Sequence, residues 1–422
     1  MGMEHLDITE IQGADSLYEA EGIIAKSEAN AGALFGCRTL YSTEGSSQCI
    51  RAMLYLISLY ARQQRRKPLI AAGRNAHKAF LTAVALLDVD VRWLYPQNTA
   101  SYLSCDLTPE ELEAYLQNCR EKPAAVYLTS PDYLGTVSDL RAAAEVCHRH
   151  GVLLAVDNAH GAYLKFLPES LHPMDLGADI CCDSAHKTLP VLTGGAYLHL
   201  SAGMDRAVGE QAKNALMLFG STSPSYLILQ SLDAANPKLE NLPERLQNLL
   251  PKLETFRDRL RRHGYLLYGN EALKLTIQAK AYGYTGQQLA SLLRQQKIEP
   301  EFADPDYVVL MLSAETDEKT LAHLEQTLCQ IPMQPPITGK CPALIPGEPV
   351  MTVRQAMLAN SERLPAGQCL GRILAVPTVG CPPAVPILVC GERIDAHAIA
   401  CFEYYGIDHC YVVKSGEEDQ NM

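Results

Sequence analysis

The sequence lacks the features of a membrane-spanning protein, a nucleic-acid-binding protein or a protein with a structural metal site. It has no apolar run that approaches the roughly 20 residues needed to cross a bilayer. The formal net charge of −12 argues against nucleic acid as a main partner. Its 14 cysteines are scattered and include no C-x-x-C pair. Scattered thiols of this kind are typical of a reduced cytosolic protein, and we expect no bound metal.

The N-terminal stretch is acidic and polar, without the apolar segment of a secretory signal. We therefore expect a cytoplasmic protein that is not attached to a membrane. Cys147, His148 and His150 are the alternative for a metal site, but their spacing fits a helix surface better. The apolar fraction of 47% and the charged fraction of 20% predict instead an ordinary globular protein.

Short apolar strands alternate with amphipathic helices along the first half of the chain. The predicted strands are 68–72, 91–95, 124–129, 152–156, 180–182 and 196–200, and the predicted helices are 46–66, 76–87, 108–120 and 140–150. Ser46 or Ser47 is expected to cap the first of these helices, and Thr108 to open the third. The alternation predicts an α/β fold with a mostly parallel sheet wrapped by helices.

The pattern of predicted strands and helices changes near residue 235, and this change divides the predicted structure into three parts. Residues 1–235 are expected to form the major, cofactor-binding domain, 236–335 a small α/β domain, and 336–422 a C-terminal segment that begins with a proline-rich linker. In the small domain we expect helices at 243–263, 286–295 and 317–329, and strands at 273–279 and 307–312.

Three polar clusters follow predicted strands of the large sheet. They are Arg74-Asn75-His77, Thr129 to Tyr133, and Asp157 with His160. The carboxyl ends of parallel strands lie at one edge of a sheet, and ligands bind there. We therefore expect these side chains to surround one site.

Asp157 and Lys187 suit one cofactor chemistry. Asp157 ends an apolar strand, and Lys187 stands on the later turn Ser184 to Lys187. In enzymes that use pyridoxal phosphate (PLP), a lysine forms a Schiff base with the cofactor and an acid keeps the pyridine nitrogen protonated. Without a cofactor, Asp157 would cap a helix and Lys187 would be solvated. His160 is placed to bond the ring or the substrate, or else is a surface histidine.

Other residues suit the phosphate and the ring of the same cofactor. Thr43 to Ser47 precede a helix, where backbone N–H groups and hydroxyls form a phosphate cradle. The alternative is a helix cap without a ligand. His77 is placed to stack on the pyridine ring, or is a polar residue at a helix start. The turn Ser221 to Tyr226 is a further phosphate contact or an ordinary loop.

These segments resemble the short bacterial form of the Orn/Lys/Arg decarboxylase family of fold-type-I PLP-dependent enzymes. The matching segments run in family order: DITEIQGADSL (7–17), TEGSS (43–47), GRNAHKAF (73–80), YLTSPDYLGTV (127–137), VDNAHGAYLKF (156–166), DSAHKTLPVLTGGAYLH (183–199), STSPSYLILQSLDAAN (221–236) and CPPAVPILVCGE (381–392). They extend across nearly the whole chain, and together they are specific.

The resemblance implies roles for individual residues. It implies that Lys187 holds PLP, that Asp157 contacts the ring nitrogen and that His77 stacks on the ring. The residues that it implies near the phosphate or the Schiff base are Gly45, Ser46, Ser47, Ser184 and His186. It implies His160 and His186 as catalytic partners of Lys187. Because the family's dimer completes each site, Thr222 and Ser223 are expected to serve the neighbouring subunit of a homodimer.

The chain departs from the family pattern at a few positions. Asn158, Ala79 and the segment 193–195 stand where the family usually has an acid, a serine and a glutamine, and its Tyr-Pro-Pro-Gly-Ile-Pro pattern reads CPPAVP. The resemblance starts beyond the family's N-terminal arm with its Pro-Gly-His-Lys segment, which helps dimer packing. These changes are at the pocket's edge, so we expect them to affect the choice of substrate more than PLP binding.

The expected function is PLP-dependent decarboxylation of arginine, lysine or ornithine to the amine and CO₂, feeding polyamine metabolism. One alternative is an aminotransferase-like or desulfurase-like enzyme, because no arginine for binding an α-carboxylate can be recognised in the sequence. A second alternative is an inactive paralogue that acts as a partner or regulator, which the altered pocket edges suggest.

Overall fold

A seven-stranded sheet organises the first 200 residues of the computed structural model, which describes residues 2–97, 101–339, 341–343, 345–377 and 383–416. Its strands are β1 (Arg38–Ser42), β2 (Leu69–Gly73), β3 (Asp90–Leu94), β4 (Ala125–Thr129), β5 (Leu153–Asp157), β6 (Ile180–Asp183) and β7 (Ala196–Leu200). The order is β1-β7-β6-β5-β4-β2-β3, and β7 runs antiparallel to both of its neighbours. The prediction of a mostly parallel α/β sheet is confirmed, whereas β1 was not predicted.

Helices cover both faces of this sheet. They are α1 (Ile23–Phe35), α2 (Gly45–Gln63), α3 (Lys78–Leu87), α4 (Pro109–Asn118), α5 (Leu140–Arg149), α6 (Ala185–Thr188), α7 (Ala202–Val208), α8 (Ala212–Met217) and α9 (Tyr226–Leu239). Alternate strand residues pack on opposite sides: Tyr127 joins the core beneath α2 and α3, and Val126 joins the core beneath α4 and α5. Strands buried on both faces read as continuous apolar runs, which is why the sequence revealed them.

The expected serine cap of α2 is wrong. The helix begins at Gly45, its N-cap residue is Glu44, and no side chain caps it. Gly45 has φ +70°, a left-handed conformation that glycine adopts at little cost, and its N–H donates to the Gly194 carbonyl at 2.7 Å. The chain therefore enters the helix directly after Gly45, and both serines fall in the first turn.

A second, antiparallel sheet follows. Its strands are β8 (Leu267–Tyr268), β9 (Lys274–Gln278), β10 (Phe302–Ala303) and β11 (Tyr307–Met311), in the order β10-β11-β9-β8. The helices α10 (Leu242–His263), α11 (Gly286–Gln295) and α12 (Glu318–Gln330) accompany it. The longer elements agree with the prediction within two residues. The two-residue strands β8 and β10 were not predicted, because they are too short to show an alternating pattern.

The C-terminal segment lies against the carboxyl edge of the large sheet. Its elements are β12 (Glu348–Pro349), α13 (Val353–Leu358), β13 (Ser361–Pro365), β14 (Glu392–Arg393), α14 (Ala396–Tyr404) and β15 (His409–Val413). The buried Arg74 guanidinium donates to the carbonyls of Pro386 and Ile387, both at 2.9 Å. Cys381 and Pro382, the first residues of CPPAVP, lie outside the described residues. No helix in the described ranges combines the length and apolarity needed to span a bilayer.

Candidate active site

A cavity of about 450 Å³ lies at the carboxyl ends of β2, β4 and β5. The three polar clusters predicted from the sequence all contribute to it. Its lining is Ser46, Asn75, His77, Leu103, Thr129, Pro131, Tyr133, Asp157, Ala159, His160, Lys187, Glu299, Pro300, Glu301, Pro383 and Val385. The fold therefore brings residues from both sheets and from the C-terminal segment to one place.

Asp157, at the end of β5, is a buried acid in this cavity. One carboxylate oxygen accepts the Tyr127 hydroxyl at 3.2 Å and the other accepts the Ala159 N–H at 3.2 Å. Burial raises the pKa of Asp157, and the neighbouring Lys187 and these hydrogen bonds oppose that rise. A cation bound beside this carboxylate would thus be stabilised.

Lys187 and His160 are in direct contact. Lys187 lies on α6, a single turn that follows β6, and its Nζ is 2.8 Å from His160 Nε2. His160 is buried, and burial together with the neighbouring lysines, Lys187 and Lys274, lowers its pKa well below the ordinary value. His160 is therefore a neutral imidazole at pH 7, able to donate one hydrogen bond and to accept another.

His77 also lines the cavity and is held in one tautomer. It is the N-cap residue of α3, and its Nδ1 accepts the Ala79 N–H at 3.0 Å. The accepting nitrogen carries no hydrogen, so Nε2 carries it. Burial, followed by the nearby Lys187, lowers the pKa of His77 to about 4. A neutral, fixed imidazole ring suits stacking on a flat aromatic ligand.

The start of α2 reaches the cavity through Ser46. Its hydroxyl accepts a hydrogen bond from Ser184 Oγ at 2.8 Å. Backbone N–H groups of the first turn of a helix are open to an anion. Two hydroxyls and a helix start therefore meet at one end of the site.

Several residues predicted for the site are not among the residues that line the cavity. They are Gly45, Ser47, Ser184, His186, Thr222 and Ser223. His186 Nδ1 lies 3.0 Å from the Gly195 carbonyl, which fixes the ring beside the loop that also receives Gly45. Thr222 and Ser223 are exposed in the single chain.

Four further charged residues belong to the site or adjoin it, and sequence reasoning missed them. Glu299 and Glu301 line the cavity, and Glu301 accepts the Tyr133 hydroxyl at 2.9 Å. Glu271 and Lys274 form a buried ion pair at 2.6 Å next to His160. The signal for Lys274 was its place inside the apolar strand LKLTI, where a lysine needs a buried partner.

Asp183 forms a second buried polar centre, which does not belong to the described cavity lining. One of its oxygens lies 3.1 Å from Nε2 of both His172 and His199, and Asn158 donates to the other at 2.7 Å. We call Asp183, His172 and His199 the Asp183 array. Burial alone would lower the pKa of His199, but the Asp183 carboxylate raises it to about 9.

Cys181 joins the array in a donor set with the residue types of a metal site. The hydrogen bonding offers a different explanation. His172 Nδ1 accepts the Met174 N–H at 3.4 Å, so Nε2 carries the hydrogen that Asp183 accepts. A nitrogen that carries hydrogen is not a metal ligand. We therefore interpret the array as an ion pair with a shared carboxylate.

The fold and the site together define the class of protein. A sheet of this topology with a lysine and an acid at its carboxyl edge is that of a fold-type-I PLP-dependent enzyme. Lysine decarboxylase A from Pseudomonas aeruginosa has this fold with a TM-score of 0.78, covering 97% of this chain and 74% of that one at 16% identity.

The family follows from the sequence comparisons. The model of the Orn/Lys/Arg decarboxylase major domain matches residues 3–280, and the chain belongs to that family. It is 29% identical to an arginine decarboxylase from Bacillus subtilis, covering 99% of this chain and 88% of that protein. It is 28% identical to an arginine decarboxylase from Halalkalibacterium halodurans, covering 94% of this chain and 83% of that protein. The chain thus belongs to a family of PLP-dependent amino-acid decarboxylases.

Proposed function

We propose that the cavity binds PLP covalently at Lys187 and removes the α-carboxylate of a basic amino acid, with arginine as the preferred substrate. The observation that carries this proposal is the buried cavity that holds Asp157 together with a Lys187 amine in contact with a neutral His160. The names of the two relatives support arginine.

The residues present fit this cofactor. A cavity of about 450 Å³ is of the size that takes a small cofactor and substrate. Asp157 is buried with a raised pKa, and the protonated nitrogen of a pyridine ring is the kind of cation that would stabilise its charged form. Thr129 Oγ1, in the lining, is a buried polar atom without a hydrogen-bond partner, and a bound ligand would satisfy it.

Each contacting residue has a proposed task. When bound, PLP acts as an electron sink for the bond that breaks at the α-carbon. Lys187 would hold it covalently, Asp157 would hold the ring nitrogen's proton, and His77 would lie against the ring. Ser46, Ser184 and the first turn of α2 would hold the phosphate group.

His160 and Lys187 form the proposed proton-handling pair. Their nitrogens are 2.8 Å apart, within range for direct proton transfer. A neutral imidazole gives up its one N–H hydrogen only if its other nitrogen takes up a proton, and the Lys274 ammonium group lies 3.4 Å from His160 Nδ1 to supply it. We propose that this pair supplies the proton that replaces the lost carboxylate. His186, which is held by the Gly195 carbonyl, remains the second candidate for that role.

Apolar residues cover part of the cavity, and a drier environment favours loss of a charged carboxylate. The buried side chains of Leu103 and Val385 line it, and Pro383 lies beside them. Arg74 anchors this part of the C-terminal segment through the carbonyls of Pro386 and Ile387. The C-terminal segment is therefore proposed to act as the fixed cover of the site.

Glu299 and Glu301 are proposed to receive the cationic end of the substrate. They stand on the loop before β10 and line the cavity, with Pro300 between them. Carboxylates bind guanidinium groups by charge-assisted, often bidentate hydrogen bonds. Both Glu299 oxygens already accept hydrogen bonds from Arg294 Nε, at 2.9 and 3.1 Å, so Glu299 would share its charge between Arg294 and the substrate. Glu301 is therefore the principal proposed partner of a cationic side chain.

We further propose a cytoplasmic homodimer whose subunits share their sites and whose amine product feeds polyamine metabolism. Thr222 and Ser223 are exposed, and the exposed apolar side chains of Met217 and Leu218 lie shortly before them. Exposed apolar side chains beside a functional loop are typical of an interface. The cysteines of the described chain are free thiols, as in a reducing compartment.

The proposal is tested with purified protein, PLP and a panel of arginine, lysine and ornithine. Wild-type protein with PLP should absorb in the violet and release CO₂ from at least one substrate, fastest from arginine. Lys187→Ala should lose the violet absorbance and reduce CO₂ release by about a thousandfold or more, because the covalent attachment is gone.

Lys165→Ala is the matched control, since Lys165 forms an ion pair with Asp175 outside the cavity lining. It should leave both readouts close to wild type. Formation of a keto acid without CO₂ would exclude the decarboxylase proposal. A wild-type protein that stays colourless with excess PLP would favour the inactive paralogue.

A further inference from the structure

Lys274 is a second buried lysine next to the cavity, and it comes from β9 of the smaller sheet. Its ammonium group faces three acceptors. These are Glu271 Oε2 at 2.6 Å, the Asp132 carbonyl at 3.1 Å and His160 Nδ1 at 3.4 Å. An ammonium group has three hydrogens and no lone pair, so the three acceptors match its donors.

The position of Lys274 determines which nitrogen of His160 carries hydrogen. Nδ1 faces a group that can only donate, so Nδ1 must accept. In a neutral imidazole the other nitrogen then carries the hydrogen. That nitrogen, Nε2, lies 2.8 Å from Lys187 Nζ. The Nε2–H group donates, and Lys187 Nζ must accept with a lone pair, which an amine has and an ammonium group lacks.

We propose that Lys274 is a positioning residue that acts through His160 and keeps the Lys187 amine uncharged. This inference rests on the proposed function, in which Lys187 is the amine that must be nucleophilic. It goes further by giving the smaller sheet a part in controlling protons at the site. The order of the contacts is Glu271, Lys274, His160 and Lys187, and each contact fixes the donor or acceptor role of the next.

Other groups near His160 agree with this assignment. The charged and titratable side chains that lie near His160 or Lys187 are His77, Tyr133, Asp157, His186 and Lys274, and Asp132 and Glu271 lie near Lys274. Tyr133 packs edge-on against the His160 ring, with 5.1 Å between centroids, and leaves both ring nitrogens to the lysines. A charged His160 beside the Lys274 ammonium group would place two adjacent cations in a buried space, which is unfavourable.

The first experiment reads the tautomer directly. Nitrogen-15 NMR of histidine-labelled, cofactor-free full-length protein distinguishes a ring nitrogen that carries hydrogen from one that does not, and His160→Phe assigns the signals. Wild type should show hydrogen on Nε2 only. Lys274→Arg should keep this pattern, because a guanidinium group also only donates. Lys274→Met with Glu271→Gln, which removes the ion pair without leaving an unpaired charge, should show a mixture of tautomers.

The second experiment reads the reactivity of Lys187. Trace acetylation by acetic anhydride, followed over pH by mass spectrometry of the Lys187 peptide, measures the fraction of uncharged amine. The double variant should move the midpoint of Lys187 labelling to higher pH by about one unit or more. Lys274→Arg should have the same midpoint as wild type. Lys213→Met is the matched control, because Lys213 forms another buried ion pair, with Glu28, outside the described lining.

Two outcomes would overturn the inference. One is a wild-type His160 that carries hydrogen on Nδ1, whatever the labelling shows. The other is a labelling midpoint that is the same in the double variant as in wild type and Lys213→Met. Neither readout uses PLP or turnover, so a protein that fails to bind PLP would refute the proposed function and still decide this inference.

Discussion

The cavity and the Asp183 array each hold two histidines near a buried acid, but the pKa values of both cavity histidines are lowered, whereas that of His199 in the array is raised. In the cavity, burial and neighbouring lysines lower the pKa of His77 to about 4 and that of His160 well below its ordinary value. In the array, the Asp183 carboxylate overcomes burial and raises the pKa of His199 to about 9. Burial by itself lowers the pKa of any histidine, so the sign of the shift depends on whether nearby negative charge outweighs burial, as it does for His199 but not for His172.

This difference suits the cavity histidines to proton transfer and His199 of the array to stabilising the fold, although both regions belong to the same sheet. The neutral histidines of the cavity can each accept and donate a hydrogen bond, as proton transfer requires. The imidazolium of His199 is locked against a carboxylate and contributes to folding instead. Asn158 connects the two regions, since it follows Asp157 and donates to Asp183 at 2.7 Å. An acid at 158, as the family usually has, would oppose the Asp183 carboxylate.

Breaking the array at its acid should have the largest effect on stability. Asp183→Asn removes the charge that pairs with a buried imidazolium, so the free energy of unfolding should fall by about 3 to 5 kcal/mol at pH 7, measured by urea unfolding. Asp175→Asn is the control. Asp175 also pairs with a lysine, Lys165, but it is partly exposed and its loss should cost about 1 kcal/mol or less. Equal losses in the two variants would show that Asp183 does not hold a charged partner.

Sequence reasoning located the carboxyl edge of the sheet well, because its signals are local. Apolar runs on β4 and β5 end in polar residues, and parallel strands bring those ends together. The capping box of α4 was also visible, in Thr108 and Glu111. The serine cap of α2 failed because a left-handed Gly45 replaces the cap, a backbone feature with no signature in side-chain type.

The residues that the sequence could not place are those that reach the site from far along the chain. Lys274 belongs to the second sheet and Glu301 to the loop before β10, and their local sequence pattern does not show that they face His160 and Tyr133. The same holds for the Asp183 array, whose members come from β6, β7 and the loop before β6. Long-range contacts of this kind depend on how elements pack, which periodicity does not report.

The next largest effect concerns the alkaline side of the array. The pKa of His199 is raised above its unfolded value of about 6.5, so its stabilisation is complete below about pH 6.5 and is lost as the pH rises through about 9. We expect the free energy of unfolding of wild type to fall by about 3 kcal/mol from this group over that interval. His199→Gln should lower stability at pH 7 and flatten this alkaline decline.

His172→Gln is a close control for His199→Gln. Both histidines are fully buried and lie 3.1 Å from the same Asp183 oxygen, but burial lowers the pKa of His172. The His172 variant should therefore lose stability and still keep the alkaline decline. If both variants decline as wild type does, His199 is not the group that titrates.

The smallest effect is expected on the acid side of the cavity. The pKa of His77 is lowered to about 4, so the unfolded chain binds the proton more tightly, and stability is lost as the pH falls from about 6.5 towards 4. His77→Asn removes this titration and keeps a side chain that caps α3 well. At pH 5.5 the wild type should have lost about 1 kcal/mol more than the variant, relative to pH 7.5, in urea unfolding of the cofactor-free protein. An acid decline that is unchanged in His77→Asn would mean that His160, with the other histidines whose pKa is lowered, such as His172, accounts for it. The cavity and the array would still titrate in opposite directions, but a single histidine would then define the cavity's side of the comparison.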